Sequence, residues 1–183
     1  MFLILGPALN FLAGFFWEDD RQGITAGTLL ALSCACWLIG LLGVYDQMRA
    51  VAPRYVSVAV PVAVFAVLGG IAFSIQSVHE GLFDVSHADA VERLVEYPFA
   101  ANALYWIPGP LFPATLFALG FMLIRLRATP LPVGLLMCLG AIAFPLSRIT
   151  REVSIAHVAD LLLLLPFLYL GIRGIRTART SQD

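Results

Sequence analysis

The sequence predicts an all-α integral membrane protein, a polytopic bundle of about six transmembrane helices forming one domain over residues 1–183. Three observations carry that prediction. Of the 183 residues, 60% are hydrophobic and 13% charged, with a mean hydropathy of +0.89. A soluble domain carries about 25% charged residues, and one of this length still exposes much of its surface to water. The apolar residues also gather into six runs, each near the ~20 residues a helix needs to cross hydrocarbon. No alternating apolar–polar pattern of a β-barrel is present, and in lipid the backbone must satisfy itself, which leaves helices.

The runs are 2–17, 24–45, 55–78, 101–124, 131–147 and 153–172. The first lacks a basic leader and a small-x-small cleavage site, so it reads as a span and not as a signal peptide, barely long enough at ~1.5 Å per residue. The fourth opens on Tyr105-Trp106-Ile107-Pro108-Gly109-Pro110 and continues to Pro113. Three prolines and a glycine do not all fit a regular helix. The span is therefore expected to begin near Pro110, with Tyr105 and Trp106 in the interfacial aromatic belt; the alternative is a broken helix facing protein or water. Gly6-Pro7 with Gly14-Phe15, and Gly109-Pro110 with Gly120-Phe121, hint at a weak 3+3 inverted repeat.

The connections are short except for residues 79–98. There Ser86 followed by Asp89 fits a capping box, and Ala88, Val91 and Val95 recur at helical spacing, which predicts an amphipathic surface helix at about 86–97. The string His79, Glu80, Asp84, His87, Asp89 contains metal-capable side chains, but its spacing matches no established zinc pattern. It reads as a solvated acidic loop, and no metal is expected.

Charge placement gives an orientation. Arg49, Arg54, Arg125, Arg127, Arg173, Arg176 and Arg179 fall on one side of the six spans, and Arg21, Arg93, Arg148 and Arg151 on the other. By the positive-inside rule both termini are cytoplasmic, in the cell (plasma or inner) membrane. Nine acids, from Glu18 to Glu152, fall on the expected outer side.

Several functions are excluded or lack their signature. There is no lysine, so no Schiff-base chemistry, and a net charge of −1 gives no reason to expect nucleic acid. Cys34, Cys36 and Cys138 lie in apolar runs; the first two point about 200° apart on a helix, which suits neither a chelating pair nor a disulfide. Nucleophile elbow, phosphate loop and HExxH are all missing, and no cofactor is expected.

The most informative residues are His157 and Asp160. At i,i+3 they share a helical face, and Asp160 lies seven residues into the last span, about 10 Å deep. An ionisable group at that depth is costly and tends to face the bundle interior with a partner. Arg148 and Arg151 are placed to supply the counter-charge. The functional expectation is a ligand-binding mouth of Asp160, His157, Arg148 and Arg151, with Trp106 among the aromatics; the structural one is an ion pair between the last two spans. Asp160 and Glu18 are the candidate catalytic carboxyls.

Six spans in about 180 residues with a polar outer mouth resembles, in architecture, the substrate-capture subunits of vitamin importers. An acid after the first span, Glu18, and one in the last, Asp160, is similar to the placement in membrane-bound terpene cyclases. The motif of neither family is present, and no family is assigned. The expected function is binding or transport of a small, largely apolar or amphiphilic molecule at an outward-facing pocket. The alternatives are an intramembrane enzyme acting on a lipid or isoprenoid by carboxyl acid/base catalysis, and a structural or regulatory subunit. Partners, beyond the bilayer and that molecule, would be a membrane subunit or a second copy of the chain.

The orientation is tested by single cysteines at Ser86 and Ser181 in a Cys-free background. An impermeant thiol reagent applied to intact cells should label position 86 and spare 181; labelling of 181 would reverse the orientation.

Overall fold

The computed structural model describes residues 1–17, 21–150 and 152–173. The described elements are α1 (Phe2–Ala13) with a 3₁₀ turn (Gly14–Phe16), α2 (Gly23–Met48), α3 (Pro53–Leu82), α4 (His87–Val95), α5 (Pro98–Ala101) leading into a π-helical turn (Asn102–Trp106), α6 (Pro108–Arg125), α7 (Leu131–Thr150) and α8 (Val153–Arg173). Five stretches are long and apolar enough to cross a membrane: α2, α3, the composite Pro98–Arg125, α7 and α8. A shorter apolar segment, Phe2–Phe16, precedes them. It spans about 22 Å at ~1.5 Å per residue, against ~30 Å of hydrocarbon. The chain is an all-α polytopic membrane bundle.

Short connections make sequential helices antiparallel neighbours. The packing order is α1, α2, α3, α6, α7, α8, and α8 packs back on α1, so the helices form a closed ring. Its centre is filled. The Trp37 ring of α2 lies 5.6 Å from Phe112 of α6 and 4.3 Å from Phe167 of α8, and Phe112 lies 5.5 Å from Phe144 of α7.

Lipid tails are as apolar as leucine, so close packing and interhelical hydrogen bonds hold membrane helices together. Glycine supplies the close approach. A Cβ on Gly6 would stand 2.9 Å from the Trp37 backbone nitrogen, and one on Gly40 would stand 3.0 Å from that of Leu3, both across the α1–α2 contact. A Cβ on Gly120 would stand 3.0 Å from the Gly134 carbonyl across α6–α7. The pairs that hint at an inverted repeat do not share surroundings. Gly6 is pressed against α2 while Gly109 is open, and Gly14 faces α8 while Gly120 faces α7.

The fourth span departs from expectation in an instructive way. Helix begins at Pro98, well before Pro110, and the π turn precedes the prolines, with the Ile107 N–H donating to the Asn102 carbonyl at 3.1 Å. Pro108 and Pro110 then fall in the first turn of α6, where a missing N–H costs little. The inserted register of the π turn is what accommodates them. The surface helix is present as α4, with the Ser86 side chain accepting from the Asp89 N–H at 3.1 Å.

The ends of the ring differ. Arg49, Arg54, Arg125 and Arg127 occupy the end opposite α4, where α2 and α6 stop and α3 starts. Gln22 and Ser77 lie buried at the α4 end, the Ser77 hydroxyl donating to the Gln22 carbonyl oxygen at 3.1 Å.

Overpacking a tight helix contact costs roughly 1–3 kcal/mol. Gly40→Leu should therefore lower the melting temperature of the purified protein in detergent, whereas Gly109→Ala should leave it unchanged. Equal melting of the two variants would contradict the α1–α2 packing.

Candidate functional site

Two buried carboxylates lie toward the α4 end of the ring, in different surroundings. Asp160 is 2% exposed and accepts a hydrogen bond from the Asn10 side-chain amide at 2.6 Å. Donor and acceptor belong to α1 and α8, the two helices whose contact closes the ring. On the other flank of α1, the Ser33 hydroxyl of α2 donates to the Gly6 carbonyl at 2.7 Å. Polar bonds thus hold the short first helix from both sides.

Arg148 sits in the last turn of α7, its guanidinium 4.8 Å from the Phe144 ring centre and 5.6 Å from that of Trp17. Cation–π contact of this kind is worth about 0.5–2 kcal/mol. Arg148 and His157 both lie within electrostatic reach of Asp160. Among the described residues, however, no ion pair joins Arg148 to Asp160. The expected salt bridge is replaced by an amide donor from α1, which sequence reasoning did not single out.

His157 is committed elsewhere. Its Nδ1 lies 2.8 Å from the Val153 carbonyl, which only accepts, so Nδ1 carries the proton. Its ring is boxed by Phe11 and Phe15, at 5.7 and 4.5 Å. Among the described residues Nε2 is buried without a partner, 3.3 Å from where a Cβ on Gly14 would stand. Glu18 and Arg151 lie outside the described residues. Trp106 is 50% exposed on the π turn, which packs on α3 and α6 and not on α8. The structure therefore brings together Asp160, Arg148 and His157 and leaves Trp106 apart.

The second carboxylate, Glu80, corrects the reading of the string from His79 to Asp89 as a solvated acidic loop. Helix α3 continues to Leu82, which keeps Glu80 on its inward face, 3% exposed. Its Oε1 accepts from the Gln76 amide at 2.8 Å and lies 2.8 Å from His87 Nδ1. The chain reverses at Asp84, whose φ of 52° lies in the left-handed region that aspartate tolerates, and this carries His87 back to Glu80. Arg21 secures the turn by pairing with Asp84 at 2.8 Å and donating to the Glu80 carbonyl at 3.4 Å. The signal was present in the sequence: buried Ser74, Ser77 and Glu80 recur at i,i+3, continuing the helical period past the apolar run.

Beside Glu80 lies an open groove of about 470 Å³ between α3, α4 and the π turn. Ala72, Ile75, Phe83, Val85, Leu94 and Leu104 give it apolar walls, and Gln76, His79, Glu80, Arg93 and Tyr105 supply polar atoms. Pockets of about 300–1,000 Å³ with apolar walls and a few polar groups are those that hold small ligands. Among the described residues, no three His, Cys, Asp or Glu side chains converge as a metal ion requires.

Compared with protein-family models, with curated proteins and with solved structures, the chain finds no match in any of the three. Fold and site define its class, a multi-pass membrane bundle, and the groove's chemistry carries the reading of its function.

Removing one member of a buried polar pair strands the other, at a cost of roughly 1–3 kcal/mol. Asn10→Leu should lower the melting temperature more than Asp160→Asn, which leaves an amide pair in place. Asn10→Leu with Asp160→Leu should recover part of the loss, because no unpaired polar group then remains. A double variant as unstable as the sum of its singles would contradict the tie.

Proposed function

We propose that this protein binds a small, largely apolar molecule in the groove between α3, α4 and the π turn, on the face the arginine distribution assigns to the outside of the cell membrane. One observation carries the reading: an apolar groove with a buried, hydrogen-bonded carboxylate in its wall. Asp160, first expected to hold the ligand's polar end, is enclosed between α1 and α8; in this reading it closes the ring and Glu80 lines the site. The filled centre around Trp37, Phe112 and Phe167 favours binding over passage through the bundle.

A second reading has its own support. A buried carboxyl facing an apolar groove beside Tyr105 is also what intramembrane acid/base catalysis requires, with Glu80 as the acting group.

The test is saturable binding of an environment-sensitive fluorescent amphiphile to purified protein. Ile75→Trp with Leu104→Trp fills the groove from positions that are each 47% exposed, so the fold should tolerate both. Affinity should fall at least tenfold with the melting temperature unchanged; unaltered affinity would place the ligand elsewhere. Mass spectrometry of the recovered ligand separates binding from catalysis. An unmodified ligand supports binding, and a modified one whose formation is lost in Glu80→Gln supports the enzyme.

A further inference from the structure

We infer that the ligand of this groove is a single-chain amphiphile with an anionic headgroup, held at its head by Arg93 and lying with its tail along α3 in the adjoining leaflet. The inference rests on the groove being the binding site and adds the chemistry of what fills it.

Polarity along the groove is graded. His79, Glu80 and Arg93 lie toward the α4 end, whereas Ala72, Ile75 and Leu104, with the neutral Tyr105 beside them, form the far end with no charged group. From Leu82, where α3 stops, to Ala72 is ten residues, about 15 Å at ~1.5 Å each. A molecule matching that gradient has its head at the membrane surface and its chain in hydrocarbon. Ile75 and Leu104 are both 47% exposed on the bundle's flank, so the far end opens sideways toward lipid. The volume suits one small ligand, hence one chain.

The sign of the head follows from which charges are already engaged. Glu80 Oε1 takes Gln76 and His87, and Arg21 is paired with Asp84. Arg93 is exposed and forms no ion pair among the described residues. It reaches the groove because Ala90, Arg93 and Leu94 share one face of α4 at i, i+3 and i+4. The acids beside it, Asp89 one turn back on α4 and Glu92 and Glu96, do not line the groove. A guanidinium at the rim matches a carboxylate or phosphate oxygen through paired N–H donors; a cationic head would meet that same charge unfavourably.

The test uses the whole protein in phosphatidylcholine nanodiscs. Hexadecanoate, hexadecanol and hexadecyltrimethylammonium each compete with a fluorescent amphiphile. Hexadecanoate should compete at least tenfold better than the other two. Arg93→Gln should erase that preference while leaving hexadecanol competition unchanged, Arg93→Lys should retain most of it, and Glu92→Gln should alter nothing. Saturable binding of all three with equal strength, or a preference that survives Arg93→Gln, overturns the headgroup assignment and leaves the groove reading standing. Absence of saturable binding by any of them overturns both.

Discussion

The hydrogen bond from Asn10 to Asp160 is the constraint on which the bundle depends. Apolar burial does little to hold helices together in lipid, and the first helix, of 12 residues, is the shortest in the ring. A carboxylate about 10 Å into hydrocarbon must be given a partner. The Asn10 amide supplies one across the seam where the first and last helices meet, and the Ser33 hydroxyl ties the opposite flank of α1 to α2. With α1 set in this way, Gly6 presses on the Trp37 backbone and the indole reaches Phe112 and Phe167, so a peripheral polar tie determines how the centre is filled.

The two buried carboxylates divide the work. Asp160 is enclosed by α1 and α8; Arg148, stacked on Phe144 and Trp17, and His157, held by Val153 and two phenylalanines, both stay within its electrostatic reach. That arrangement builds a wall. Glu80 is also hydrogen-bonded, but its partners include a residue of α4, an element with no buried residue of its own. The Glu80–His87 contact and the Arg21–Asp84 pair together position α4 as one side of a groove. Asp160 is enclosed between two helices, and Glu80 borders an open groove.

Much of this was legible in the sequence. Six apolar runs, the Ser86 cap and the burial of Asp160 all follow from periodicity and from the cost of charge in lipid. The partner of Asp160 was not, because nothing local marks Asn10, one polar residue in an apolar run, as its donor 150 positions away. Arginines nearby in sequence drew attention instead. The π turn was hidden because proline and glycine announce a disturbance without saying how the chain absorbs it. Glu80 was missed because an acid beside a histidine and a turn looks solvated unless the helical period of Ser74 and Ser77 is followed past the end of the hydrophobic run.

The most direct test of the account locates the bound molecule. A single-chain carboxylate amphiphile bearing a photoreactive group is irradiated with the protein in nanodiscs, and the labelled peptides are identified by mass spectrometry. Labels should fall within residues 72–83, 90–94 and 104–105, and an excess of unlabelled amphiphile should suppress them. Labels that concentrate instead on residues 10–17 and 144–160 would put the ligand at Asp160 and contradict the division of roles between the two carboxylates.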